Sequence, residues 1–166
     1  MTNAALIRPY RPADEPTVIA LWQACDLTRP WNDPHKDIAR KLAHQPALFL
    51  VAELDGSVVA SAMFGYEGHR GWVNYLAVLP AHQGNGLARA LMAQGEALLK
   101  AVGCPKLNLQ IRSSNAGVIA FYLHLGYAQD EVVSMGKRLA SDMPAAADAH
   151  ANSDRQNSPP KARTQP

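Results

Sequence analysis

Two glycines, Gly84 and Gly86, lie in the stretch QGNGLA (83–88), immediately before a strongly periodic helical segment. Inside a helix each would cost about 0.5–1 kcal/mol relative to alanine, so their position needs a physical reason. The N-terminus of a helix presents unpaired N–H groups and a partial positive charge, and glycine lets an anion approach that backbone without meeting a Cβ. The stretch therefore has the form of a cradle for a phosphate or pyrophosphate, although a glycine turn also serves as a plain connector.

Two common phosphate-binding motifs do not fit the residues around this stretch. A P-loop requires Gly-Lys followed by Ser or Thr, which the chain does not contain. A dinucleotide site requires a third glycine and an acidic residue about 20 residues later, at the end of the next strand. The next predicted strand is KLNLQI (106–111), which has no acid. Neither a nucleoside triphosphate nor a dinucleotide is therefore expected.

The composition restricts the remaining chemistry. The chain has 166 residues, is 48% hydrophobic and carries a formal net charge of +2, which suits one globular domain. Its basic residues are scattered, so we expect no nucleic acid and no membrane surface as a partner. The histidines and cysteines have no metal-site spacing, so no metal is expected. There is no apolar leader, and the run LFLVA (48–52) is too short to cross a bilayer, so we expect a cytoplasmic protein with Cys25 and Cys104 as ordinary thiols.

The elements around the glycine stretch predict a mixed α/β (α+β) fold. The predicted helices begin at the cluster 14–16, at Asp33-Pro34, at Leu87 and at Asn115. The predicted strands are 5–8, 47–54, 57–66, 72–80, 106–111 and a last pair, 128–133 and 134–139. We expect a mainly antiparallel central sheet flanked by about four helices, within a domain of residues 1–140. Residues 141–166, rich in Ala, Ser, Asp and Pro, are predicted to be a disordered tail.

Two segments resemble one known family. LAVLPAHQGNGLARALM (76–92) resembles the central motif of the GNAT superfamily of acyl-CoA-dependent N-acyltransferases, in which a strand leads into Arg/Gln-x-x-Gly-x-Gly/Ala at a helix start. Gln83, Gly86 and Ala88 match those three positions. NAGVIAFYLHLGY (115–127) is similar to the family's second segment, except that Val118 stands where alanine is usual. The resemblance covers about residues 5–139 and is strongest to small bacterial acetyltransferases of the YpeA type.

This resemblance implies a GNAT fold and an acetyl-CoA cosubstrate without a metal. The backbone N–H groups of the glycine stretch would hold the CoA pyrophosphate, and the strand before it would bind the pantetheine arm. The residues so implied in cofactor binding are Leu76, Ala77, Val78, Gln83, Gly84, Asn85, Gly86, Leu87, Ala88 and Asn115. In this family the primary amine of the acceptor attacks the thioester directly, so no nucleophilic Cys or Ser is needed.

The resemblance also assigns catalytic candidates. Tyr122 aligns with the tyrosine that gives a proton or hydrogen bond to the departing CoA sulfur, although an apolar helix face also carries aromatic residues for packing alone. Gln110 stands where related enzymes that acetylate ribosomal proteins carry a glutamate, and glutamine cannot accept a proton. Glu67 is therefore the candidate base, together with His69, unless both are solvated loop residues.

Three further questions stay open from sequence alone. The loop 29–33, with Arg29 and Trp31, either forms a wall of the acceptor pocket or is a rigid connector with Trp31 on the core. The acceptor is a small molecule or a protein, and an exposed last strand would permit a homodimer. The alternatives to an enzyme are a non-catalytic acyl-CoA-binding sensor and a structural protein whose glycines form only a turn.

Overall fold

The predicted hairpin forms the centre of the sheet. In the computed structural model, which describes residues 5–143, Asp55 and Gly56 both have positive φ, of 50° and 78°, as a tight two-residue turn requires. The strands are β1 (Leu6–Pro9), β2 (Phe49–Leu54), β3 (Ser57–Tyr66), β4 (Gly71–Val78) and β5 (Leu107–Asn108). The helices are α1 (Glu15–Ala24), α2 (Pro34–Ala43), α3 (Leu87–Ala101) and α4 (Ala116–His124). The predicted mixed sheet with four flanking helices is confirmed.

The sheet has the strand order β1-β2-β3-β4-β5. The first three pairings are antiparallel, whereas β5 runs parallel to β4 because α3 carries the chain back across the sheet. The β4–β5 ladder contains only two residue pairs, Gly71 with Leu107 and Trp72 with Asn108. The two strands therefore diverge after Trp72, and the edge of β4 that faces β5 is unpaired from residue 73 to residue 78.

Each face of the sheet is covered by a different pair of helices. Neighbouring residues of β3 point to opposite faces, so Met63 packs with α1 and α2 whereas Phe64 packs with α3. The helix α3 approaches β3 closely, because a Cβ on Gly95 would lie 2.1 Å from Cζ of Phe64. The largest fully buried side chains of the two cores are Leu21, Trp22, Ile38, Phe49, Leu50, Phe64, Leu91 and Met92.

Two predicted helix starts are confirmed with their caps. The Asp33 carboxylate accepts the backbone N–H of His35 at 2.9 Å at the start of α2. The Asn115 side-chain oxygen accepts the N–H of Val118 at 3.2 Å at the start of α4. These bonds fix where both helices begin.

The predicted last strand pair, 128–133 and 134–139, is wrong. Residues 128–139 form no helix or strand, and the large apolar side chains of this stretch are 78–91% exposed. A further strand needs a neighbouring ladder, and the ladder of β5 ends after two residues instead of covering the predicted 106–111.

The predicted tail begins in contact with the domain. Asp142 forms an ion pair with Arg40 of α2 and accepts the backbone N–H of Asp33 at 3.1 Å. Arg138 donates to the side-chain oxygen of Asn32 at 3.1 Å. The chain thus crosses from α4 to the start of α2. The rest of the predicted tail, 144–166, lies outside the described residues.

Candidate active site

The loop between β4 and α3 has a backbone that only glycine adopts easily. Gly84 has φ +78°, and Gly86, the residue before α3, has φ +79°. Side-chain residues pay about 1–2 kcal/mol in this left-handed region. A Cβ at either position would meet nothing within 4 Å, so the space beside this backbone is open. The glycines are therefore required by the turn itself, and the turn leaves its surface accessible to a ligand.

The backbone N–H groups of this loop are available. No N–H of residues 84–89 donates to another described residue, whereas the N–H of Ala90 donates to the carbonyl of Gly86 at 3.0 Å. The loop is held at its other end by Gln83, whose Nε2 donates to the carbonyl of Val78 at 3.0 Å. The helix that follows, α3, has 15 residues, and unpaired N–H groups at a helix N-terminus are of the kind that bind phosphate groups in proteins.

A β-bulge lies on β4 beside this loop. Met63 pairs with Asn74 and Ser61 pairs with Ala77, so two β4 residues oppose one residue of β3, and Tyr75 has φ +53°. The bulge bends β4 in the part that has no partner on its β5 side. An extended chain that offers amide groups can pair with that edge, from Leu76 to Val78, as an added strand would.

Two elements hold the bulge in place. The ring of Tyr75 stacks on Trp22 of α1 with centroids 4.0 Å apart, and its hydroxyl donates to Asp37 of α2 at 2.6 Å. Trp22 in turn donates its indole N–H to the Ser61 hydroxyl at 2.9 Å, opposite the bulge. Sequence reasoning missed this network, because no residue of the strand 72–80 signals a positive φ.

Tyr122 presents a free phenol on a buried ring. Its side chain is 7% exposed and lies edge-on to Phe121 and Tyr127 in the core under α3 and α4. Its hydroxyl makes no hydrogen bond to a described residue. Burial raises the pKa of Tyr122 to about 12. The group therefore remains a hydrogen-bond donor at any physiological pH.

Glu67 has a structural task in the β3–β4 turn. Its carboxylate accepts the backbone N–H groups of His69 at 2.7 Å and Arg70 at 2.8 Å, and these bonds lower its pKa. The side chain is exposed. It lines a cavity under α2, and Tyr122 is not among the residues that line this cavity. The lowered pKa makes Glu67 a weaker base than an ordinary glutamate.

A cysteine lies closer to the loop than its position in the sequence suggests. The Cys25 thiol donates to the carbonyl of Val78 at 3.2 Å, the same carbonyl that binds Gln83. Burial raises the pKa of this thiol, so it stays protonated and is a poor nucleophile. Cys104 packs against Gly71 at the other end of β4.

A cavity of about 210 Å³ opens under α2, on the sheet face opposite α3. Its lining residues are Lys41, His44, Met63, Phe64, Gly65, Tyr66, Glu67, Trp72 and Asn74. The Lys41 ammonium donates to the carbonyl of Phe64 at 2.5 Å, and burial lowers its pKa to about 8. A signal for this lysine was present in the sequence, since it lies three residues after Ile38 and therefore borders the apolar face of α2. A larger hollow, about 610 Å³, is bounded only by residues 129–133 and encloses no site.

The loop 29–33 does not bury its tryptophan. Trp31 is 46% exposed, which argues against the alternative in which this loop is a connector with Trp31 on the core. Arg29 binds the carbonyl of Thr28 at 2.7 Å and the carboxylate of Asp26 at 3.1 Å. Within residues 5–143, no three His, Cys, Asp or Glu side chains are grouped as metal ligands, and no helix there is long and apolar enough to span a membrane.

Comparisons with known proteins agree with this geometry. Residues 17–127 match the model of the acetyltransferase (GNAT) family. An acetyltransferase of Sodalis glossinidius is 54% identical over 137 residues, which are 82% of this chain and 96% of that protein, and one of Yersinia enterocolitica is 51% identical over 136 residues, with the same coverage.

Solved structures share the fold. Ard1 from Thermoplasma volcanium matches with a TM-score of 0.69 at 24% identity, over 76% of this chain and 84% of that one. The ribosomal-protein-S18-alanine N-acetyltransferase from Escherichia coli matches with a TM-score of 0.62 at 26% identity, over 74% of this chain and 77% of that one. The β4–α3 arrangement and these relatives lead to one conclusion: the chain belongs to the GNAT family of acetyltransferases.

Proposed function

We propose that the protein transfers the acetyl group of acetyl-CoA to a primary amine by direct attack of the amine on the thioester. This proposal rests on one observation: two backbone surfaces without hydrogen-bond partners among the described residues lie next to each other. The unpaired edge of β4 leads directly into the unpaired N–H groups before α3. This arrangement suits a long ligand with an amide-bearing arm at one end and a pyrophosphate at the other.

The binding roles follow from this arrangement. The backbone of Leu76, Ala77 and Val78 binds the pantetheine amides along the open edge of β4. The pyrophosphate is held by the loop and first helical turn, which consist of Gln83, Gly84, Asn85, Gly86, Leu87 and Ala88. Asn115 contributes through its amide nitrogen, because its oxygen already accepts the N–H of Val118.

The chemical step needs a neutral amine and a stabilised leaving group. Acetyl-CoA supplies an acetyl group activated as a thioester. As the bond from nitrogen to carbon forms and the bond from carbon to sulfur breaks, the sulfur gains negative charge, and the Tyr122 hydroxyl donates a hydrogen bond to it. Full proton transfer from a phenol of pKa about 12 to a thiolate of about 8.5 is uphill by about 5 kcal/mol. Tyr122 therefore acts through a hydrogen bond.

The proton of the amine has a less defined destination. Glu67 is our candidate for the group that takes this proton, through water, since it lines the cavity under α2. Its two backbone hydrogen bonds and its exposure lower its efficiency, so bulk water competes for the proton. We propose that this transfer takes place in the cytoplasm, where the two unpaired cysteines remain reduced.

Calorimetric titration with acetyl-CoA and CoA, with NADH and ATP as controls, tests the proposed cradle. The variants are Gly86→Glu and, as the matched control, Gly56→Glu, because both glycines have nearly equal positive φ and open space. We expect CoA binding in the wild type and in Gly56→Glu, and a loss of at least tenfold in affinity in Gly86→Glu. Equal CoA affinity in both variants would contradict the assignment of the glycine stretch as the pyrophosphate site.

A second function, acyl-CoA sensing without catalysis, rests on one observation. Gln110 occupies the position at which related enzymes carry an acid, and its Nε2 donates to the Ser134 hydroxyl at 2.5 Å. A sensor would bind acetyl-CoA without forming an acetylated amine. An amine screen that follows CoA release separates the two functions, since only the enzyme consumes acetyl-CoA.

A further inference from the structure

We propose that the acceptor is a small amine that also carries a carboxylate, an amino acid, and that Lys41 binds this carboxylate in the cavity under α2. This inference rests on the proposed acetyl transfer and assigns the substrate class of the same site. It depends on where the cavity lies, on the side chains that line it and on the absence, within residues 5–143, of a carboxylate paired with Lys41.

The cavity adjoins the point at which the sheet opens. Trp72 pairs with Asn108 in the last rung of the β4–β5 ladder, and it also lines the cavity. Asn74, two residues further along β4, lines the cavity from the part of the strand that has no β5 partner. An amine bound there lies beside the divergence of the strands, where the open edge of β4 would direct the thioester.

The side chains of Lys41 and Trp72 in the cavity lining can only donate hydrogen bonds, whereas those of His44 and Asn74 can donate or accept them. The Trp72 indole N–H forms no hydrogen bond to a described residue. The same is true of the Asn74 side-chain amide and of the His44 imidazole. The one carboxylate of the lining belongs to Glu67, and both of its oxygens already accept backbone N–H groups. A ligand that accepts hydrogen bonds suits such a lining better than a second donor does.

Lys41 is the cation of this lining that has no anionic partner. Its ammonium is half-buried and contacts the carbonyl of Phe64, and no carboxylate of the described residues lies within ion-pair distance of it. A partly buried charge without an anionic partner is unfavourable, so a lysine kept at the border of the apolar face of α2 suggests a ligand that completes the pair. Lys36 and Arg40, on the same helix, are already engaged by Asp142.

The volume of the cavity suits a small acceptor. At about 210 Å³ the cavity is smaller than the roughly 300–1,000 Å³ of pockets for drug-sized ligands. It accommodates the carboxylate and a short side chain, and the exposed Trp72 ring supplies an apolar wall. A free amino acid with a small side chain fits these limits, whereas a large polycation would place further positive charge against Lys41.

Binding of the reaction product tests the site without requiring turnover. Calorimetry compares N-acetyl-L-alanine with N-acetyl-L-alaninamide, which differ in the carboxylate alone. We expect wild type to bind the acid at least tenfold more tightly, Lys41→Met to lose this preference, and the control Lys100→Met, on the exposed side of α3, to keep it. Equal binding of both compounds by the wild type, or binding of neither, would overturn the inference.

A kinetic arm separates this inference from the proposed function. The ratio of kcat/KM for L-alanine to that for L-alaninamide should fall at least tenfold in Lys41→Met, with acetyl-CoA affinity unchanged as evidence of correct folding. If Lys41→Met slows both acceptors equally, Lys41 acts on the amine instead, and the assignment to the carboxylate is wrong. Failure of the wild type to bind acetyl-CoA would contradict the acetyl transfer itself.

Discussion

The hydroxyl of Tyr75 donates to the Asp37 carboxylate at 2.6 Å, and this bond joins α2 to the bulge of β4. Burial first and then the bond to Asp37 raise the pKa of Tyr75 above its ordinary value, so the phenol stays protonated. The contact links the helix that lines the Lys41 cavity to the strand edge proposed to bind the pantetheine arm. Tyr75, a residue with a positive φ, thus connects both sides of the candidate site.

We expect Tyr75→Phe to lower the free energy of unfolding by about 1 kcal/mol, because one hydrogen bond is lost while the ring stays stacked on Trp22. Asp37 keeps its ion pair with Arg40 at 3.0 Å, which limits the loss. Urea unfolding measures this difference, with Tyr66→Phe as the control, since its hydroxyl bonds only the nearby Gly68 carbonyl. A smaller effect at Tyr75 than at Tyr66 would show that the Asp37 bond does not hold the bulge.

Gly95→Ala should destabilise the protein although alanine favours helices. A Cβ at this position would lie 2.1 Å from the buried Phe64 ring, and overpacking of this kind costs about 1–3 kcal/mol, against a gain in helix propensity of about 1 kcal/mol. Gly117→Ala in α4, where a Cβ meets nothing within 4 Å, should instead raise stability. The melting temperatures of both variants test this, and the additional change Phe64→Leu should restore part of the loss in Gly95→Ala.

The parts of the fold that local residues determine were predictable. Asp33, Asn115 and the Asp55-Gly56 turn act on their immediate neighbours in sequence, so the helix starts and the hairpin follow from residue type. The Tyr75 bulge did not follow, because its φ is fixed by contacts with residues of α1 and α2. Alternating apolar residues in 128–139 indicate a strand but do not provide a neighbouring ladder, so that prediction was wrong.

The same distinction applies to the site. The glycine loop was visible as a motif, since its backbone demands glycine at two positions. The cavity was not, because Lys41, Trp72 and Asn74 come from separate elements and meet only when α2 packs on the sheet. Only Lys41 carried a signal, as a charge at the border of an apolar helix face.

The stability of the protein should increase with pH above about 8 through Lys41. Its pKa is about 8 in the folded protein and about 10.5 when exposed, so between these values the unfolded chain binds more protons and folding is favoured as pH rises. Because Lys41 is partly exposed to solvent, the free energy of unfolding should rise by less than the limit of about 1.4 kcal/mol per pH unit. Urea unfolding from pH 7.5 to 9.5 should show this gain in wild type and Lys100→Met but not in Lys41→Met. If the free energy of unfolding rose equally with pH in Lys41→Met, the pH dependence would come from other groups.

Tyr122→Phe should lower kcat by about 10²–10³-fold, the usual effect of removing one hydrogen-bond donor from a developing negative charge. Affinity for acetyl-CoA should remain, because the ring and its packing are kept and the hydroxyl makes no hydrogen bond to a described residue. Tyr127→Phe is the matched control, since this neighbouring phenol donates to Glu96 at 2.6 Å and is not assigned to the reaction. Rates under saturating acetyl-CoA, once an accepted amine is found, measure both variants.

Because the pKa of Tyr122 is about 12, wild-type kcat should not decline from loss of this donor below pH 10. An unchanged kcat in Tyr122→Phe would leave the departing sulfur to be stabilised by another group and would remove Tyr122 from the mechanism.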